Sequence, residues 1–282
     1  MSASAHAIAF CSPAGSTRRA AEAVAQRLQE QGCGADLIDL TEDGWPNRAE
    51  RVLSGLAAPA CVWVGSPVYA QHPVPPVHKF FSALPEAKGT VAAVPFVTFG
   101  AVSSGVALQE MGQWFESKGY RLAGAARIVA EHSSMWRCEH PLGHGRPGAE
   151  DLDLLRRLAD LVVDRIGRSN WEPVPLDRLD YQPEWIKQEA AAISIDKVKG
   201  FHPGYGLIEE RCTQCGICEQ ECPAGAITLD PYPQRGPECF LCNNCARLCP
   251  EGAITIDTAP LEQRIREMAE KSPEPKKTGI FQ

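Results

Sequence analysis

Between residues 212 and 250 one cysteine pattern occurs twice, as Cys212-x2-Cys215-x2-Cys218-x3-Cys222-Pro223 and Cys239-x2-Cys242-x2-Cys245-x3-Cys249-Pro250. Three cysteines at i, i+3 and i+6 on a tight loop can wrap three irons of a cubane but cannot reach the fourth. In the bacterial two-cluster iron-sulfur spacing the fourth thiolate comes from the other half. By that rule one 4Fe-4S cluster takes Cys212, Cys215, Cys218 and Cys249, and the other takes Cys239, Cys242, Cys245 and Cys222. Each cluster then staples one half of the segment to the other.

A zinc ribbon also uses paired Cys-x2-Cys motifs. It requires neither a third cysteine three residues further on nor a proline behind the fourth. The repeat also extends beyond the cysteines: Cys222-Pro-Ala-Gly-Ala-Ile-Thr-Leu-Asp230 matches Cys249-Pro-Glu-Gly-Ala-Ile-Thr-Ile-Asp257 at an offset of 27. Self-similarity of this kind marks one supersecondary unit used twice. Each unit reads as a cluster loop, a short helix holding the fourth cysteine, and a strand over Ala226–Leu229 or Ala253–Ile256. Residues 201–260 resemble bacterial 8Fe ferredoxins, a small α+β domain holding two clusters.

With 282 residues the chain is long for one core, and two domains are expected. The formal net charge is -7, and part of the excess is local, since residues 201–260 carry three Arg and no Lys against eight acidic residues. Clusters held by four thiolates add further negative charge. This excludes a nucleic-acid partner and favours one with a basic docking face. Of twelve cysteines, eight are committed to clusters, which need reduced thiolates and so a reducing, cytoplasmic compartment. The stretch Met1-Ser-Ala-Ser-Ala-His-Ala has no basic region followed by an apolar one, so no export signal is expected. The longest apolar run, Val91 to Phe99, is broken by Pro95 and Thr98 and falls far short of a membrane span. A soluble protein is expected.

Upstream, the pattern alternates strand and helix. Ala5–Phe10 is an apolar run that ends in Cys11-Ser12-Pro13-Ala14-Gly15-Ser16-Thr17, after which Ala20, Val24 and Leu28 recur at helical spacing. Leu37–Leu40, Ala60–Val64, Val91–Phe99 and Leu122–Ala130 read as further strands. Helices are marked by Val77, Phe80, Phe81 and Leu84, by Ala107, Met111, Trp114 and Phe115, and by Leu152, Leu155, Ala159, Val162 and Ile166. Five strands alternating with helices imply a doubly wound five-stranded parallel α/β sheet. The order 2-1-3-4-5 is expected, with a ligand at the switch point between strands one and three.

Three loops meet on that rim. Ser12, Gly15, Ser16 and Thr17 offer hydroxyls and backbone N–H groups at a helix N-terminus, a setting for a phosphate. Gly65-Ser66-Pro67-Val68-Tyr69 reads as a tight turn that lets backbone approach a flat ring, with Tyr69 as a stacking face. Phe99, Gly100, Ala101 and Gly105 belong to a Gly/Ser-rich loop at the end of strand four. Arg18 and Arg19 read as solvated helix residues, and Cys11, Cys33 and Cys61 as small core residues. Cys138, His140 and His144 lack a fourth partner for a metal site and read as part of an ordered loop.

Here the chain resembles flavodoxins, and specifically flavodoxin-ferredoxin fusion proteins, whose first loop reads Ser-Pro-Thr-Gly-Thr-Thr. This sequence has Ala14 where that pattern has Thr, one phosphate hydroxyl fewer. Ala130-Glu131-His132-Ser133 and Gly145-Arg146-Pro147-Gly148-Ala149-Glu150-Asp151 are also similar to the fusions. The resemblance implies FMN held by Ser12, Pro13, Ala14, Gly15, Ser16, Thr17, Ser66, Pro67, Val68, Tyr69, Phe99, Gly100, Ala101 and Gly105. It also implies an electron-transfer protein relaying low-potential electrons between a donor protein, two 4Fe-4S clusters, FMN and an acceptor metalloenzyme or corrinoid protein.

Two rivals are a flavin-dependent reductase of a quinone or nitro compound, with His72, Tyr69 and His132 as its polar groups, and a docking scaffold without FMN. The expected organisation is residues 1–168 for the FMN domain, 169–200 for a proline-punctuated linker, 201–260 for the cluster domain and 261–282 for a charged helix and tail. A linker of that length lets a cluster approach the flavin within one chain or across a homodimer.

Overall fold

The computed structural model describes residues 4–282. Met1–Ala3, part of the stretch read as lacking an export signal, lies outside the described residues. Five parallel strands, β1 (Ala5–Phe10), β2 (Gly34–Asp39), β3 (Ala60–Tyr69), β4 (Ala92–Phe99) and β5 (Ala125–Val129), pair in the order β2-β1-β3-β4-β5. This is the flavodoxin-like doubly wound order. The period-two alternation of the strands divides the core into two layers. Trp63, Val94 and Phe96 face α1 (Ser16–Glu30) and α5 (Ala149–Ile166), while Val62, Val64 and Val97 face α3 (Pro75–Ala83) and α4 (Ala107–Ser117). Because β4 is covered on both faces, every one of its residues is buried, and it reads as a continuous apolar run.

Several elements differ from the expectation. Between β2 and β3 lies a helix that the sequence reading did not identify, α2 (Trp45–Ser54), which buries Ala49 and packs Trp45, Val52 and Leu53 half-exposed against the core. Strand β3 does not turn at Gly65. It continues to Tyr69, and the turn falls at Ala70 and Gln71, with φ of 49° and 71°, before His72–Pro73 folds back on Val68–Tyr69. Gly65 is needed for packing instead: a Cβ there would lie 2.2 Å from Cζ of Phe96. The fifth strand is in two pieces. Arg121–Leu122 pairs with the start of β4 and Ala125–Val129 with its end, and the break at Gly124 admits Leu158, whose Cδ1 would be 2.8 Å from a Cβ on that glycine.

The stretch after α5 is bound to the sheet's flank. Trp171, Val174, Leu179 and Ile186 are buried, and two helices follow, α6 (Glu184–Ala192) and α7 (Ile195–Lys199). In the cysteine-rich segment Gly206–Leu207 pairs antiparallel with Ile254–Thr255, and Ile227–Leu229 with Pro233–Arg235. The short helices α8 (Ile217–Gln220) and α9 (Asn244–Arg247) contain the third cysteines, Cys218 and Cys245, not the fourth as expected. Cys222 and Cys249 lie two residues beyond the helix ends, in the turns that each proline continues.

The reading of the last residues as a tail is also corrected. Helix α10 (Ala259–Lys271) leads back to the first sheet, where β6 (Gly279–Phe281) pairs antiparallel with β5. Glu274 anchors the return. Its carboxylate, 2% exposed, accepts from Ser104 N (2.7 Å), Ser104 Oγ (2.6 Å), Gln182 Nε2 (2.8 Å) and Arg127 Nη1 (2.6 Å). Among the described residues no helix is long and apolar enough to cross a membrane.

Candidate functional site

One cavity opens at the C-terminal ends of β1, β3 and β4, where the strand order reverses. Ser12, Pro13, Ala14, Ser16, Thr17, Pro67, Val68, Tyr69, Phe99 and Gly100 line it. The other four residues expected there stand behind its wall. Gly15 makes the turn into α1 with φ 86°. Ser66 is fully buried and fixes the backbone, accepting from Val74 N (3.0 Å) and donating to Pro67 O (2.8 Å). Ala101 has φ 55°, and Gly105 is packed so close that a Cβ would lie 2.2 Å from Gln71 O.

Within the first loop the hydroxyls are not equivalent. Ser12 Oγ accepts the N–H of Arg18 at 2.8 Å and so ties the loop to the first turn of α1, whose N-cap is Gly15. Thr17, 1% exposed, hydrogen-bonds Thr98 Oγ1 at 2.8 Å and ties β4 to the helix start. Ser16 has no such tie among the described side-chain contacts and lines the cavity. Arg18 is not freely solvated as expected: it pairs with Asp39 and lies over the Phe10 ring, 5.4 Å from its centroid.

Tyr69 forms a side wall. Its ring meets Phe240 at 5.9 Å and 49°, its hydroxyl lies 3.3 Å from Ser133 Oγ, and burial pushes the phenol well above its ordinary value. His132 also lines the cavity; burial pushes it down to about 4, so it is neutral at physiological pH and its Nδ1 accepts from Ser134 N at 3.3 Å. His72 does not line the cavity. Its Nδ1 lies 3.0 Å from Glu110 and its Nε2 2.9 Å from Ala190 O, so it ties the β3 hairpin to α4 and α6. The Glu110 bond raises its pKa, against the opposing effect of burial.

The opposite wall was not read from the sequence. It comes from Phe201, His202, Phe240, Leu241 and Asn243 in the cysteine-rich half, and from Leu261, Arg264, Ile265 and Met268 on α10. The α10 contribution had a signal, since Leu261, Ile265 and Met268 recur at helical spacing within a charged helix. His202 is notable because its Nε2 is buried without a hydrogen-bond partner, while its Nδ1 accepts from Gly204 N at 3.2 Å and its ring stacks on Tyr205. Burial, with a smaller contribution from Arg235, lowers its pKa.

The cysteines gather into two groups. Cys212, Cys215, Cys218 and Cys249 surround a second cavity together with Ile217, Leu229 and Ile254. Cys222, Cys239, Cys242 and Cys245 form the other group. Burial, with smaller contributions from Cys222, Cys245 and Cys239 and against the lowering effect of the Asn244 backbone N–H, pushes the Cys242 thiol up to about 12. Backbone N–H groups point at the fourth sulfur of each repeat, Ala226 N to Cys222 Sγ at 3.3 Å and Ala253 N to Cys249 Sγ at 3.2 Å. Arg235 donates to Cys245 Sγ at 3.4 Å. Among the described residues no three His, Cys, Asp or Glu groups are set for a single metal ion. Cys11 and Cys61 are fully buried in the core and Cys33 is 8% exposed. His144 pairs with Glu131 at 3.1 Å, His140 is exposed, and burial and Glu262 push the Cys138 thiol up to about 11.

Residues 205–228 match the 4Fe-4S binding domain family, Fer4. No curated protein matches the chain. Among solved structures, the rubredoxin oxygen:oxidoreductase of the anaerobe Desulfovibrio gigas is similar, with 18% identity, a TM-score of 0.46, and coverage of 58% of this chain and 36% of that one. The chain therefore spans little over a third of that oxidoreductase. A flavodoxin from the domain Archaea (18% identity, TM-score 0.44) is covered over 99% of its length by 58% of this chain, and flavodoxin 1 of Bacillus cereus (15%, 0.43) over 98% by 57%. The strand order defines a flavodoxin-like domain, and the Fer4 match and doubled cysteine motif define a ferredoxin-type 4Fe-4S domain behind it. One chain therefore joins a flavodoxin-like fold to a 4Fe-4S binding segment.

Proposed function

We propose that this protein is an electron carrier that holds two 4Fe-4S clusters and one FMN and relays low-potential electrons between a donor protein and an acceptor metalloenzyme or corrinoid protein. The observation that carries the reading is a shared wall: the Cys239–Cys245 loop, which would hold one cluster, also closes the strand-end cavity through Phe240, Leu241 and Asn243. A 4Fe-4S cluster exchanges one electron at a time and FMN can hold two, so the pair joins one-electron and two-electron donors and acceptors.

The residues fit these groups. Four cysteines surround one cavity with backbone N–H groups directed at the fourth sulfurs, as thiolates carrying a cluster's negative charge require. Ser16 and the N–H groups at the start of α1 would hold the phosphate, Tyr69 would lie against the ring, and the unpartnered Nε2 of His202 would find a partner in the ligand. Ala14 removes one hydroxyl from the loop without closing it. In this reading Thr17 and Ser12 act by fixing the loop's shape, because their hydroxyls already have partners. Leu261, Ile265 and Met268 exclude water from the open side.

We read residues 1–168 as the FMN domain, 169–200 as the linker, 201–260 as the cluster domain and 261–282 as a segment that closes both. The thiolates call for a reducing, cytoplasmic setting and redox partner proteins. Anaerobic purification followed by iron, sulfide and flavin quantitation tests the reading. About eight irons, matching sulfide and one FMN per chain are expected. Zinc without sulfide, or no flavin uptake, overturns it.

A further inference from the structure

The internal repeat matches in its ligands and differs where it meets the other half of the molecule. With an offset of 27, Thr213 corresponds to Phe240, Gln214 to Leu241, Gly216 to Asn243 and Gln220 to Arg247. The first member of each of these pairs is polar or lacks a side chain, and Thr213, Gln214 and Gln220 are exposed. The second member contacts the flavodoxin-like domain in every case. Phe240 is 1% exposed and packs on Tyr69 within that domain's core, and Leu241 and Asn243 line the strand-end cavity. Asn243 Nδ2 lies 3.5 Å from Ser134 Oγ, and Arg247 donates to Pro13 O in the loop before α1. Cys242 packs against the core cluster that contains Phe240, whereas its counterpart Cys215 is exposed. The cavity ringed by Cys212, Cys215, Cys218 and Cys249 is lined only by residues between 211 and 254.

We infer that the two cysteine groups are unequal stations. Cys222, Cys239, Cys242 and Cys245 hold the cluster beside the flavin cavity, Cys212, Cys215, Cys218 and Cys249 hold the one facing outward, and Phe240 positions the inner loop against Tyr69. The inference rests on the proposed cofactors and adds their order. The outer station, with Cys215 exposed where Cys242 packs against the core, is the one that a low-potential one-electron donor protein can reach. Each passage from the inner cluster to the flavin oxidises the cluster by one electron and reduces FMN by one; two passages, with protons taken from water, complete the reduction. The acceptor protein then removes them.

The test uses the full chain, reconstituted anaerobically with iron, sulfide and FMN. Phe240→Thr installs the residue of the first repeat and should keep iron and sulfide at the wild-type level. It should weaken FMN binding, read by flavin fluorescence titration, about tenfold. It should also alter the visible circular dichroism of the bound flavin and slow flavin reduction by a reduced ferredoxin. Thr213→Phe should change none of these. If Phe240→Thr leaves flavin binding, dichroism and reduction unchanged, or if Thr213→Phe reproduces the loss, the order is overturned. Wild-type protein that takes up no FMN instead defeats the cofactor reading itself. Should Phe240→Thr fail to fold, Leu241→Gln, on the same wall, is expected to shift flavin binding and dichroism in the same direction, and no shift overturns the order.

Discussion

His6 shows how much one buried imidazole can decide. Trp63 donates its indole N–H to His6 Nδ1 at 3.1 Å, which leaves Nε2 to donate to Ser4 Oγ at 2.8 Å, and Ser4 in turn donates to Cys33 Sγ at 3.2 Å. The chain of donors is complete only with neutral His6. Burial lowers its pKa from 6.5 to about 4, and protonation would set a second N–H against that of Trp63. Because the folded pKa is depressed, the contribution is present above 6.5 and is lost as the pH falls towards 4. About 3 kcal/mol of stability should disappear across that window, measured as the shift of the urea midpoint with pH. His6→Gln should flatten part of the dependence, and His132, lowered to about 4 by burial, should account for much of the rest. Ser12 gives a second test at this scale. Because its hydroxyl accepts the Arg18 N–H in the first turn of α1, substitution by Ala should cost about 1 kcal/mol in flavin-free protein, by urea denaturation. Ser16→Ala should weaken FMN binding and leave that stability unchanged. The doubled cysteine pattern was legible because its spacing is local. The His202 and Phe240 contacts were not, because each depends on a partner brought from far along the chain.

At the scale of elements, the parallel strands were legible for a physical reason: burial on both faces makes each a nearly uninterrupted apolar run, and their alternation with helices leaves few topologies. Helix α2 was missed although Trp45, Ala49, Val52 and Leu53 recur at helical spacing, whereas the three residues of β6 give no period at all. The Gly65 expectation failed differently. Glycine signals backbone freedom or close approach, and only the Phe96 ring across the sheet distinguishes the two. β6 is held by the Glu274 anchor more than by its own short ladder. Glu274→Ala would leave Arg127, whose side chain is 12% exposed, without its carboxylate, together with unpaired Ser104 and Gln182 donors. A loss of about 3 kcal/mol is expected in urea denaturation. Limited proteolysis should then cut first near Lys276 and Lys277. Unchanged cleavage would mean that the pairing of β6 with β5 suffices without the anchor.

For the whole molecule, the main fact is that no single stretch of chain encloses the strand-end cavity. The loops after β1, β3 and β4 form its floor, the inner cysteine loop forms one wall, and α10 covers it. On the proposed function, flavin binding and cluster assembly would be linked through this common surface, and linkage is reciprocal. Removing iron with a chelator under oxidising conditions should weaken FMN binding about tenfold, read by flavin fluorescence. FMN should in turn favour iron retention at equilibrium by the same factor, read as iron content at a fixed chelator concentration. Independence of the two would place the inner loop in the same position with or without its cluster. The sequence indicated both halves but not their shared surface, which arises from the asymmetry of the repeat and the return of residues 272–282.

That return has a consequence for how the protein is made. β6 belongs to the first sheet, yet the ribosome reaches it only after the whole cysteine-rich segment has been translated. Until then β5 is an open sheet edge, with backbone groups free to pair with another nascent chain. The same delay leaves the cavity without its α10 cover while the cysteines emerge. On the proposed function, cofactor insertion would have an interval in which both halves are present and neither is sealed, and the arrival of Gly279–Phe281 would end it.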